Sequence, residues 1–392
     1  MRKIRRNVFA RVLGGACASA VIVGLTVTSP ASGATASPKS SKVPALSHCH
    51  PAQSAGSGGF LGGFTTVCEV ASTVPANGDV NPYGVAVVPK SSGDLTAGDV
   101  LVSNFNNSHN LQGTGTTIME ISPSGKSAVF ANLARQTKDH LGLTTALAVF
   151  GDGYVVVGSL PTTGGTAKTA RAGALYVLNS HGRLVEKISG AYINGPWDMA
   201  SYDGGAFGVL FITNVLNGTV AGNGAVVHQG DVVRLVLDLT ASPPAVLQRV
   251  VIASGFGEKS DPNALVIGPT GLAVGPNGTV YVADTLANRI AAISNGLFRF
   301  TSAGVGTTVS SGGFLNAPLG LLQAGDGDLL SANGGNGEIV ESTLAGGQPE
   351  WPTVDSSGSP AGAGALFGLA LRPGGRGVYF VDDATNTLDI LK

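Results

Sequence analysis

A unit of about 50 residues recurs six times along this chain of 392 residues, and a period of that size means an array of small sheets or a propeller. Each unit opens on a Pro, then a Gly or other small residue, then an apolar run. The clear copies are Pro82-Tyr83-Gly84-Val85-Ala86-Val87, Pro269-Thr270-Gly271-Leu272-Ala273-Val274 and Pro318-Leu319-Gly320-Leu321-Leu322. Weaker copies start at Thr145, Pro196 and Leu366. Gly84, Leu147, Asp198, Gly271, Gly320 and Gly368 are taken as equivalent positions.

Inside each unit a second strand follows a tight turn. Asp152-Gly153, Asn277-Gly278 and Asp326-Gly327 are such turns, because both pairs tolerate positive φ. A third strand and usually a fourth follow, as at Ala174–Leu178 and Leu184–Ile188. Four short strands per unit make a propeller blade. Composition agrees: 59 residues are Gly and only 12% are charged, which suits short strands joined by Gly turns and argues against a helical bundle. With 43% hydrophobic residues the bulk of the chain cannot be disordered. The predicted fold is all-β, a six-bladed β-propeller.

The sixth unit ends after three strands, and a lone strand-like segment, Phe64–Val70, precedes the first unit. The spacing predicts that this N-terminal strand closes blade six and so removes two open edges. Cys49 and Cys68 are predicted to form a disulfide that pins the leader to it. The bridge closes a loop of about 20 residues, worth about 3 kcal/mol in the chain-entropy model.

Residues 1–36 read as a signal peptide. Arg2, Lys3, Arg5, Arg6 and Arg11 precede an apolar stretch that ends at the small-residue exit Ala34-Thr35-Ala36. Its removal leaves 18 basic against 24 acidic residues, a net charge of −6. A mildly acidic chain with no basic run is a poor nucleic-acid binder. No second long apolar stretch is present, so the mature chain is expected to lack a membrane span, to be secreted or wall-associated, and to be a monomer. Residues 37–63 read as a flexible leader and 64–392 as one propeller domain.

The stretch Val282-Ala283-Asp284-Thr285-Leu286-Ala287-Asn288-Arg289-Ile290 resembles an NHL repeat, with a partial copy at Val381–Leu388. Asn104, Asn214 and Asn333 stand where the family's Asp would be. The resemblance covers about residues 64–392. It implies a six-bladed propeller akin to the gluconolactonase-like, strictosidine synthase-like and amidating lyase propellers, a group that includes binding scaffolds and enzymes. No full catalytic set from those groups aligns, so none is carried over. Asp284, Asn288 and Asn386 read as turn-forming side chains bonded to backbone.

Nucleophile elbows, phosphate loops, metalloprotease motifs and EF-hand loops are absent. Topology offers more than motifs. Loops 104–116, 159–173 and 215–230 are long and emerge on one face, together with the connections 134–144 and 254–267. His109, His140 and His228 lie on that face and are candidate ligands for a divalent metal. Asp198, beside Trp197, replaces a Gly at the start of an innermost strand and is the candidate catalytic or ligand-binding carboxylate. Asn81, Asn194 and Asn316 are expected to ring the same channel mouth. The sequence thus points to a secreted propeller that binds a small polar molecule, glycan or protein on its loop-rich face. The alternative is a lactonase-like or lyase-like enzyme working at the channel mouth.

Overall fold

The computed structural model describes residues 48–53, 56, 58–262 and 264–392. The stretch read as a signal peptide lies outside them. The chain forms six antiparallel sheets around a central channel. The innermost strands are Val80–Val87, Leu143–Val149, Pro196–Asp203, Pro269–Val274, Pro318–Gln323 and Leu366–Leu371. Blades 1, 2 and 4 have four strands each, blade 5 has three, and blades 3 and 6 have five. No helix among the described residues is long and apolar enough to cross a membrane.

The repeated Pro-x-Gly has a steric cause. Each inner strand bulges just after its start, at Pro318/Leu321 for example. There the backbones of neighbouring blades touch: a Cβ on Gly320 would lie 2.0 Å from the carbonyl of Phe367, and one on Gly368 would lie 2.4 Å from that of Tyr83. Only Gly fits so close an approach. The bulge register makes Ala146, rather than Leu147, the equivalent residue in blade 2.

The NHL side chains staple blade to blade. Asn288 and Asn386 sit at φ 49° and 57°. Their Oδ1 atoms accept the N–H groups of Ala317 (2.9 Å) and Asn81 (2.7 Å) in the next blade. Arg289 pairs with Asp284 at 2.8 Å. Their role is structural, as their turn chemistry suggests.

Closure happens as the sequence predicts, displaced by two residues. Thr66–Ser72 pairs antiparallel with Thr387–Leu391, with Cys68 opposite Ile390, and Cys49 is bonded to Cys68. The segment before it departs from the flexible-leader reading. Cys49–Pro51 adds a fifth strand to blade 6, and Gln53 and Gly56 bridge to Thr353 and Glu350 of blade 5. Leu61 is buried, and the N–H groups of Phe60 and Leu61 donate to the Glu341 carboxyl at 2.8 Å each. Gly58 N–H donates to Glu350 at 2.7 Å. The Gly/Ser-rich composition concealed an apolar anchor at Phe60, Leu61 and Phe64 and two acceptors distant in sequence.

Blade 3 corrects a second expectation. The connection at 254–267 is not a loop: Ala245–Asp261 runs on as one long strand and pairs with Leu265–Ile267. The preceding loop shortens accordingly, because Val227–Asp238 is already strand.

Candidate functional site

The residue after each Pro-type start forms a layer across the channel: Tyr83, Thr145, Trp197, Thr270, Leu319 and Phe367, all buried. Tyr83 stacks on Phe367 with centroids 4.0 Å apart and on Phe105 at 4.5 Å, and Trp197 closes against both Tyr83 (6.0 Å) and Phe367 (6.4 Å). This layer packs with Leu160, Val215 and Leu216 from the long loops and with the short strand Leu265–Ile267. Flat rings fill the loop-rich end of the channel, and offset stacking adds to their burial.

Beyond the layer the inner strands run toward the opposite face, and there the channel opens into a cavity of about 410 Å³. All six blades line it. Its walls are mainly aliphatic, with Leu147, Met199, Leu272, Leu321 and Leu369, and it widens among Tyr202, Pro276 and Gln323 beside the short hairpin turns. Asp198 stands at the closed end and is 7% exposed. The sequence places it at a mouth on the loop-rich face. Strand direction puts it beneath the aromatic layer instead, reached from the other side.

Asp198 differs from its five counterparts in having a side chain that crosses to the next blade. Its Oδ2 accepts the Leu272 N–H at 3.0 Å, while its own N–H donates to Thr213 Oγ1 at 3.0 Å. Burial pushes its carboxyl up to about 8, against which the Met199 and Leu272 N–H groups act only in part. The carboxyl therefore carries its proton at neutral pH and can donate it as a hydrogen bond. Thr145 also lines the closed end, and its hydroxyl has no partner among the described residues. An acid and an orphaned hydroxyl thus stand at the closed end of a tube whose walls are mainly aliphatic.

The other candidates do not gather here. Trp197 belongs to the plug, not to an open mouth. Asn81 is buried, held at φ 61°, with its N–H on Asn386. Asn194 donates to Leu216 O at 3.0 Å and so anchors the blade 3 loop. Asn316 is exposed and gives its N–H to Asn333 at 3.0 Å. Asn81 thus holds a junction between blades, whereas Asn194 and Asn316 bond within their own blades. His109 and His140 are exposed on separate loops, and His228 is exposed near the start of the strand Val227–Asp238. Among the described residues the group with metal-ligand geometry is Asp326, Asp328 and Glu341, its oxygens within 4.8 Å of one another. Glu341 there already receives two N–H groups from the strap, the segment 48–64 before the closing strand, so the cluster reads as an anchor. Sequence reasoning missed Thr145 and the plug. The signal was available: the position after the Pro is aromatic in blades 1 and 3 and its equivalent is Phe367 in blade 6.

Residues 267–293 match the NHL repeat model. With the closed ring of six sheets, the class is a six-bladed β-propeller carrying an NHL repeat. No curated protein matches the chain in sequence. In structure it is similar to a gluconolactonase from Xanthomonas campestris: 14% identity, TM-score 0.54, covering 89% of this chain and 98% of that one. It is also similar to the PQQ-bound aldose sugar dehydrogenase of Streptomyces coelicolor: 14% identity, TM-score 0.51, covering 83% and 97%. At these identities the likeness concerns the fold.

Proposed function

We propose that the protein binds a small, largely apolar molecule carrying one hydrogen-bonding group, held in the central cavity with that group against Asp198 and Thr145. The observation that carries this reading is the cavity itself: aliphatic walls from six blades ending at a protonated carboxyl and an unpaired hydroxyl. Concave, mostly apolar pockets with a few placed polar groups are the usual form of small-molecule sites. This replaces the expected glycan or protein surface on the loop-rich face, because the channel end there is filled. A second reading has one observation in its favour. A carboxyl raised to about 8 at the floor of a cavity is suited to move a proton, as an eliminating or hydrolytic enzyme requires.

Titration with the neutral apolar dye phenylnaphthylamine tests the proposal. The dye should bind with enhanced fluorescence at one site per chain. Ser201→Trp, at the cavity rim, should abolish the enhancement while leaving the melting temperature close to wild type. Absence of binding, or binding indifferent to that substitution, would overturn it.

A further inference from the structure

The closed end of the central cavity limits which polar group can sit there. Thr145 and Asp198 lie on the inner strands Leu143–Val149 and Pro196–Asp203, which pack side by side in adjoining blades. Both residues line the cavity, at 4% and 7% exposure. The Asp198 carboxyl is met by the N–H groups of Leu272 and Met199, and both approach it as donors. No Lys, Arg or His lines the cavity, so nothing there balances a carboxylate. A buried carboxyl without a counter-charge keeps its proton, and that O–H needs an acceptor. Thr145 adds a second O–H: its oxygen is buried and has no partner among the described residues. A hydroxyl rotor turns to suit an incoming partner.

A carbonyl oxygen is the ligand group that this pair matches. It has two lone pairs for two donors, and it brings no proton that would itself need an acceptor. An alkylcarboxylate would carry a negative charge to a closed end without a cation. An alkylammonium would bring further donors to a pair of donors. It would be held only by turning Asp198 into half of a buried ion pair, in which both charges lose their water. The aliphatic walls, Leu147, Leu272, Leu321 and Leu369 among them, take the hydrocarbon part.

We infer, building on the central-cavity reading, that the ligand is a neutral carbonyl compound with an aliphatic body, a ketone or an ester, whose oxygen accepts hydrogen bonds from the Asp198 carboxyl and the Thr145 hydroxyl. Asp198 then also sets a pH limit. Burial raises its carboxyl to about 8. The strands packed against its own, Leu143–Val149, Val155–Ser159, Phe207–Asn214 and Pro269–Val274, carry no titratable side chain. On its own strand Tyr202 stands at the cavity rim and Asp203 is exposed beyond it. Above that pH the carboxylate has no proton to donate and repels the carbonyl oxygen, so the ligand is released.

Calorimetric titration of the full chain with heptyl methyl ketone tests this, with octylamine and octanoate as charged counterparts. The ketone should bind once per chain near neutral pH, more tightly than either counterpart, and about tenfold or more weakly well above the Asp198 range. Infrared spectra with the protein in excess should show the carbonyl stretch of the bound ketone lowered from its position in alkane, as hydrogen bonding requires. Thr145→Val exchanges the hydroxyl for a methyl. It should weaken binding by about tenfold and raise the stretch, with the melting temperature kept. Asp198→Asn keeps a donor at every pH, so its ketone affinity should no longer fall as pH rises. An alkane-like stretch, indifference to Thr145→Val, a pH dependence that survives Asp198→Asn, tighter binding of octylamine, or no ketone binding would overturn the inference. Phenylnaphthylamine separates it from the broader reading: dye binding without ketone binding sinks the carbonyl assignment alone, whereas failure of both sinks the two together.

Discussion

Asp198 stands where the other blades have Gly84, Ala146, Gly271, Gly320 and Gly368. That exception was legible from the repeat alone. Its surroundings were not, because the residue that caps it, Trp197, only reads as a plug once Tyr83 and Phe367 are seen stacked across the axis. The pH dependence of its carboxyl has a definite sign. An unfolded Asp ionises near 3.8, whereas the folded carboxyl holds its proton to about 8. The folded state is therefore favoured at low pH, and this contribution is lost as pH rises through that window, after which it is flat. Asp198→Asn removes the group. Urea denaturation at a series of pH values should show the variant gaining on the wild type between those limits, at no more than about 1.4 kcal/mol per pH unit. The gain should vanish below the lower limit. A constant difference across the window would mean that the carboxyl ionises normally in the folded protein.

At the scale of elements, the repeat unit carried its own explanation. Pro-x-Gly marks the bulge where inner strands touch, and the NHL asparagines cap the junctions between blades. The closing strand was legible because the sixth unit lacked one strand and Phe64–Val70 supplied it. The strap before it was not legible, since its hold comes from Glu341 and Glu350, nearly the whole chain away. The edge strand Cys49–Pro51 has only three register pairs besides its disulfide. Cys49→Ser combined with Cys68→Ser should therefore lower stability by up to about 3 kcal/mol. Dye binding in the central cavity should stay intact in that variant, because none of the described residues before Thr66 lines that cavity. Denaturation together with dye titration on the same protein would check both halves.

For the molecule as a whole, ring size and strand order follow from local periodicity, whereas the open end of the channel does not. Loop length on one face suggested where a ligand would sit, but the loops there also have a packing role. Those loops carry Leu160, Val215 and Leu216 inward to pack on the aromatic layer, so their length serves to cover one end of the channel. The opposite face, with its short turns at Asp152-Gly153, Asn277-Gly278 and Asp326-Gly327, leaves the channel open. A ring of six blades thus acquires one closed and one open end, and the cavity between them becomes a pocket with a polar floor instead of a through-pore.

A crystal structure of the protein grown with phenylnaphthylamine tests that arrangement most directly. The account predicts density for the dye inside the channel, walled by Leu272, Leu321 and Leu369, with its amine toward Asp198 and the Tyr83–Trp197–Phe367 layer unmoved. Density on the loop-rich face with the channel empty would contradict it.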